Sequence, residues 1–351
     1  MKKNANTMSN AEFKKKAKTH QTNFRNDPEI GVPAMPEKCK VEEANYPIIN
    51  NTRRAEPIRV QSSLVWDDAK DDLGFRIFYS GFRKEITQQV YADRKTRDFK
   101  LTPMVTNLLR SEHIPYNVFF PMTWDKIGAT DLFNDLLHTD KIKSIQKIDI
   151  EYNPGTLYDG TAFDVYVEYQ TVDGKIGGIG IEVKYTEKEY AMKKYDREGN
   201  LTKEYRETHD ENGIHLADNY KRPSEESGWF KADAICDIPF AEIKSNTKHV
   251  VTNHYRQIWR NHILGASMML TNENNIHLDE FISMTVYPKD NGHFSSQLWE
   301  SYEGMLTDVG KATFRHITYE ELFPKMRTYL RGIKDVDNWI DYLNRRYLIT
   351  N

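Results

Sequence analysis

Apolar residues recur with a period of two in several stretches of the chain's middle. Residues 144–152 carry Ile145, Ile148 and Ile150, strand-like with one slip in phase, and Asn153-Pro154-Gly155 ends the run. Two more strands are predicted over 162–170 and 175–186, joined as a hairpin through Val172-Asp173-Gly174. A helical period takes over at 253–270, with Tyr255, Ile258, Trp259, Ile263, Ala266 and Leu270 apolar. A fourth strand at 281–287 is stopped by Pro288-Lys289-Asp290-Asn291-Gly292. Upstream, the pattern predicts helices over 78–91 and 102–109 and an apolar stretch at 116–122. Downstream, amphipathic segments run to the C-terminus. Helix, three strands, insertion, helix, strand is the order of an α/β fold with a central mixed sheet flanked by helices.

Two regions lack this periodicity. Residues 1–60 read as a basic N-terminal arm and extended tether, ahead of a single body spanning 61–351. Residues 187–250, rich in charge and turn formers, read as a long insertion pinned to the body by Trp229-Phe230. The net charge of −3 conceals an asymmetry. Lys2, Lys3, Lys14, Lys15, Lys16, Lys18 and Arg25 face a single acid, Glu12, giving the first 25 residues about +6. Such a segment is either a solvated tail or an arm or short helix that neutralises phosphates. The mean hydropathy of −0.74 and the lack of an apolar run of roughly 18 residues argue against a membrane span. Two cysteines, Cys39 and Cys236, cannot build a disulfide framework and suit a reducing cytoplasm.

The chemistry concentrates in the hairpin. Glu182 and Lys184 share one face of their strand, while Ile179, Ile181, Val183 and Tyr185 form the opposite, apolar face. Charged residues on a strand's second face are ordinarily just solvated. Here Gly178 and Gly180 precede Glu182 on its own face, leaving the backbone bare where something must approach closely. Asp164 is a further acid within an apolar strand, and the hairpin returns it toward Glu182. Two carboxylates and an ammonium group suit phosphodiester hydrolysis: the acids hold Mg²⁺, and the lysine orients or deprotonates water.

Asp164, a gap of 17 residues, then Glu182-x-Lys184 on adjoining strands resembles the PD-(D/E)xK nuclease superfamily, and most of all its bacterial restriction-endonuclease members. In that superfamily the helix after the third strand carries a polar residue, often Gln, into the site. Here His254, Gln257, Arg260 and Asn261 fall within about 120° on one helical face. The resemblance implies a restriction-endonuclease-like core and metal-dependent endonuclease activity on DNA, probed with Mg²⁺ or with Mn²⁺ as a substitute. It implies catalytic roles for Asp164, Glu182, Lys184 and Gln257. Metal ligands would be Asp164, Glu182 and the Val183 carbonyl, with Glu112 as the acid that precedes the sheet. Lys14, Lys15, Lys16, Lys18, Arg25 and Arg260 are the expected DNA contacts. A homodimer and a cognate methyltransferase are the further partners such an enzyme would bring. Phe163 stands where a proline is usual, and Asn261 where one branch of the superfamily has a tyrosine. The alternative is a non-cleaving nucleic-acid-binding subunit of a defence or repair complex with the same fold; an intact Asp164, Glu182 and Lys184 favours the enzyme.

Other motifs compete poorly. Residues 174–180 are glycine-rich but lack Gly-Lys-Ser/Thr, and Ser267 lies mid-helix without a nucleophile elbow. His254 and His262 are not in a His-Glu-x-x-His arrangement. A shared site also demands a specific register. Facing residues of an antiparallel pair lie on one face, so Asp164 and Glu182 meet only if paired positions add to an even number. A two-residue turn at Asp173-Gly174 gives an odd sum. One extra residue is therefore required, as a three-residue loop or as a bulge at Gly177-Gly178, with the glycine pair the favoured place.

Overall fold

A computed structural model describes residues 8–26, 62–64, 70–97, 99–187, 194–196, 198–202, 205–206, 209–210, 213–214, 218–235, 255–271 and 276–349. The elements in chain order begin with helix α1 (Asn10–Asn26), the short strands β1 (Lys70–Asp71) and β2 (Gly74–Phe75), and helices α2 (Arg83–Arg94) and α3 (Leu101–Thr106). A π-helical turn (Pro115–Phe119) and a 3-10 turn (Phe120–Trp124) lead into α4 (Lys126–Leu137). Strands β3 (Ile142–Tyr152), β4 (Phe163–Thr171) and β5 (Ile176–Val183) follow. Then come β6 (His209–Asp210), β7 (Gly213–Ile214), α5 (Asp218–Glu226), α6 (Arg256–Leu270) and β8 (Glu280–Tyr287). The chain closes with α7 (Ser296–Gly304), α8 (Asp308–Ala312), β9 (Phe314–Thr318), α9 (Tyr319–Tyr329) and α10 (Val336–Tyr347).

Five strands form one mixed sheet in the order β3-β4-β5-β8-β9. The first three are antiparallel, and β8 and β9 add in parallel. The expected α/β architecture is present, a mixed sheet with helices on both faces. The phase slip in the first predicted strand is a register shift between Ile145 and Lys147. β9 and α4 lie where no regular element was expected. β9 is a five-residue edge strand whose pattern, Phe-Arg-His-Ile-Thr, is too short to stand out from its amphipathic surroundings.

The two faces have separate cores. Val165, Val167, Ile179, Ile181 and Val183 pack with α1, α4, α9 and α10. Phe163, Tyr166 and Phe281 pack with Ile258, Trp259 and Ile263 of α6, and with Trp229 and Phe230. Trp229 stacks on His262 with ring centroids 4.9 Å apart, so this part of the insertion is pinned to the body.

The N-terminal segment takes the helical of the two forms expected for it, packed on the body. Residues 10–26 form a helix whose Phe13, Ala17, Gln21, Phe24 and Arg25 are buried. Gln21 donates to the Tyr185 hydroxyl at 2.7 Å, and Phe13 meets the Tyr185 ring edge-on. Arg25, expected as a DNA contact, is buried and donates to the Ser63 carbonyl at 2.7 Å, so its guanidinium is turned inward. Lys14, Lys15 and Lys16 are exposed on the outer face, and Lys18 is half-exposed. Lys2, Lys3 and residues 27–60 lie outside the described residues.

The β4–β5 register pairs Val165 with Ile181 and Tyr166 with Gly180, which sets Asp164 opposite Glu182. The extra residue is in the turn. Val172, Asp173 and Gly174 make a three-residue loop closed by Thr171 N–H to the Lys175 carbonyl at 2.9 Å. Gly174 takes φ +87°, the left-handed conformation this loop needs and glycine supplies most readily. The pairing continues through Glu168–Gly178 and Tyr169–Gly177 without interruption, so the favoured bulge at the glycine pair is absent. What approaches Gly180 is the protein's own core: a Cβ there would sit 2.3 Å from Phe163 and 2.7 Å from Phe281. Gly180→Ala is accordingly expected to cost about 1–3 kcal/mol through overpacking. The check is a lower urea midpoint at unchanged m-value; an unchanged midpoint would mean that both rings yield freely.

Candidate active site on strands β4 and β5

Strand β5 ends by delivering Glu182 and Lys184 to the face covered by α6. Both are buried, Glu182 at 7% and Lys184 at 4% exposure, where an unpaired charge would be prohibitive. Each is fully engaged. The Lys184 ammonium donates to Glu182 Oε1 at 2.5 Å and to Gln257 Oε1 at 2.7 Å. Asn261, one helical turn beyond Gln257 on α6, donates to Glu182 Oε2. The backbone of Lys184 is fixed as well, its N–H to the Val286 carbonyl at 2.9 Å and its carbonyl to the Tyr319 hydroxyl at 2.7 Å.

Asp164 enters from β4, with Oδ2 accepting the Val183 N–H at 2.6 Å. Burial, and then the nearby carboxylates of Glu182 and Glu151, hold its carboxyl well above the ordinary range. Lys184 and the Val183 N–H act in the opposite direction.

The structure adds an acid that the sequence analysis passed over. Ile150 pairs with Val165 and Tyr152 with Phe163, which places Glu151 opposite Asp164. Glu151, Asp164 and Glu182 thus form a row across three adjacent strands. Glu151 adopts φ +53°, an uncommon conformation for a residue with a side chain. Burial, with Glu182 and Glu112 as the next contributors, raises its carboxyl to about 7. A backbone conformation unusual for a strand is no part of an alternation pattern; the sequence signal was only the acid's place just before the Asn-Pro-Gly turn.

The other expected residues divide. Gln257 is in the site. Glu112 is brought toward it because Thr186 Oγ1 donates to the Leu109 carbonyl at 2.9 Å and Ser111 N–H to Glu187 at 2.9 Å. It sits in a turn, not on a helix, and its carboxylate is forked to Arg110. Arg260, expected as a DNA contact, pairs with Asp159 at 2.6 Å and donates to Thr161, bracing the loop before β4. His254 lies outside the described residues. His262 is buried between Tyr302 and Thr313, with burial lowering it to about 3, so it is a neutral core residue.

The donor set suits a hard divalent cation. Three carboxylates and one ammonium leave a negative surplus, and magnesium needs only one or two carboxylates when water and phosphate complete its shell. Asp164, Glu182 and the Val183 carbonyl are the oxygens that would hold it. Among the described residues no group of three or more His, Cys, Asp or Glu side chains is already gathered as a metal cage. As the side chains stand, Lys184 and Asn261 take both oxygens of Glu182.

A profile of the PD-(D/E)XK nuclease superfamily matches residues 8–349, and the chain belongs to that superfamily. Nucleases of this superfamily generally use divalent metals. The chain matches no curated protein and no solved structure. No described helix is long and apolar enough to cross a membrane.

The raised Glu151 carboxyl has a consequence for stability. The folded chain keeps a proton there up to about pH 7, whereas the unfolded chain releases it near 4.5. The stability it contributes is complete below 4.5 and is lost as pH rises through about 7. In EDTA, Glu151→Gln should therefore gain in Tm over the wild type progressively between pH 4.5 and 7. Buried His262 works the other way as pH falls, but equally in both proteins. Parallel Tm–pH curves would contradict the assignment.

Proposed function

We propose that the chain is a divalent-metal-dependent endonuclease that hydrolyses DNA phosphodiester bonds. The observation that carries this is the buried Lys184, held by Glu182 and Gln257 on the same face as Asp164. A fold needing only stability gains little from a buried ion pair, which apolar residues replace at little or no cost. A hydrolase needs these groups. Asp164, Glu182 and the Val183 carbonyl would hold Mg²⁺, with Mn²⁺ able to substitute. The bound cation would supply charge neutralisation at the phosphate and a more acidic water. Lys184 would then turn from Glu182 toward the attacking water or the scissile phosphate, with Gln257 steadying its ammonium. Asn261 acts through Glu182 by fixing the orientation of its carboxylate. The exposed Lys14, Lys15 and Lys16 on α1, with Lys18 beside them, form a basic stripe suited to the DNA backbone. A restriction or defence role rests on the resemblance alone.

Purified protein incubated with plasmid and linear DNA should cleave in Mg²⁺ or Mn²⁺ and not in EDTA. Asp164→Asn should abolish cleavage, and Lys184→Ala should lower its rate about 10²–10³-fold with DNA affinity little changed. Cleavage that persists in EDTA or in Asp164→Asn would overturn the proposal. A wild type that binds DNA but never cleaves would leave the non-cleaving subunit as the better account.

A further inference from the structure

The acid row continues into a cavity. Glu151 lines a space of about 120 Å³ together with Phe99, Lys100, Met104, Glu112 and Tyr116. Met104 and Tyr116 are buried and Phe99 is half-buried, so the walls are largely apolar and aromatic. The polar groups there are unequally committed. Glu112 is forked to Arg110, and the Tyr116 hydroxyl donates to Asp93 at 2.9 Å. Among the described residues, no hydrogen bond or ion pair takes up the Glu151 carboxylate, and Lys100 at the edge is exposed.

An apolar slot with one available carboxylate and a rim cation selects its occupant by shape and by hydrogen-bond sense. Pockets for larger organic ligands run to roughly 300 Å³ or more, so this space suits a single planar ring system. A carboxylate only accepts, and it accepts best from two adjacent N–H groups in a fork. Among the DNA bases only guanine presents that pair, N1–H beside its N2 amino group. Adenine and cytosine place an acceptor next to their amino group, and thymine has a single N–H.

We propose that this cavity is a subsite for an unstacked guanine next to the phosphate held at Asp164 and Glu182, with Glu151 accepting from its N1–H and N2–H edge. The proposal rests on the nuclease reading for its substrate. It is placed for that role because Glu151, which lines the slot, lies one strand spacing from Asp164. Phe99 and Tyr116 supply ring surface, and exposed Lys100 supplies a cation suited to a sugar–phosphate. Taking a base out of the stack costs least in single-stranded, mismatched or readily opened DNA, which gives the enzyme a preference for such sites.

The test needs neither metal nor cleavage. Binding of deoxyguanosine, deoxyinosine and thymidine monophosphates is measured by ligand-observed NMR in EDTA at pH 8, above the raised Glu151 carboxyl, so that it is present as the accepting carboxylate. Deoxyinosine monophosphate lacks only the N2 amino group, and its binding should be about tenfold weaker than that of the guanine nucleotide, with thymidine monophosphate weaker still. Glu151→Gln, nearly isosteric and free of the buried charge, should remove the discrimination. Met104→Trp should fill the slot and abolish binding. Equal binding of the three nucleotides, or guanine binding unchanged in Glu151→Gln, overturns the proposal. So does a slot that takes up Mn²⁺ in a Glu151-dependent way but no guanine nucleotide, since it would then be a cation site. Failure of the nuclease reading shows separately, as a wild type that never cleaves.

Discussion

The register between β4 and β5 is the constraint on which the site depends. Side chains alternate with a period of two, so a slip of one residue would turn Asp164 away from Glu182 and push Val165 and Val167 out of the core they fill. The three-residue loop at Val172-Asp173-Gly174 prevents that slip, with Gly174 in the left-handed conformation that closes it. Both apolar cores select the same register, since Val165 and Ile181 pack on one side while Phe163 fills the space above Gly180 on the other. The chemistry thus inherits its geometry from packing that has nothing to do with catalysis.

Burial sets the energetics of what that geometry brings together. Glu182 and Lys184 would not stay charged in such a place without partners, and α6 provides them at one-turn spacing through Gln257 and Asn261. The ends of β5 and β8 are further held by Asn291, which donates to the Tyr185 and Glu187 carbonyls at 2.9 and 3.0 Å. Helix α1 reaches the same point, since Asn10 donates to Asn291 at 2.8 Å and Gln21 to the Tyr185 hydroxyl. The N-terminal helix is therefore part of the support for the site, and its exposed lysines stand on a fixed platform.

Much of this was legible in the sequence because it is local. The hairpin, the helix that follows the insertion and the Asp164, Glu182, Lys184 triplet are all written in periods of two or 3.6 and in turn residues. What escaped notice depends on long-range packing. Arg25 looked like one more cation in a basic run, and only the position of Ser63 shows it turned inward. Arg260 shares a helical face with Gln257, yet Asp159, a hundred residues away, captures it. Gly178 and Gly180 correctly signalled a close approach but not what approaches, which is the aromatic core. Glu151 became visible only once the β3–β4 pairing set it beside Asp164.

In the proposed mechanism Asp164 and Glu182, brought together by that register, hold a divalent cation. Crystals grown with Mn²⁺ and measured at an energy where manganese scatters anomalously test it most directly. The account predicts a strong anomalous peak between the two carboxylates, in coordination range of the Val183 carbonyl, with Lys184 drawn away from Glu182. Well-ordered crystals with no peak there, or with manganese bound only elsewhere and Lys184 still on Glu182, would contradict it.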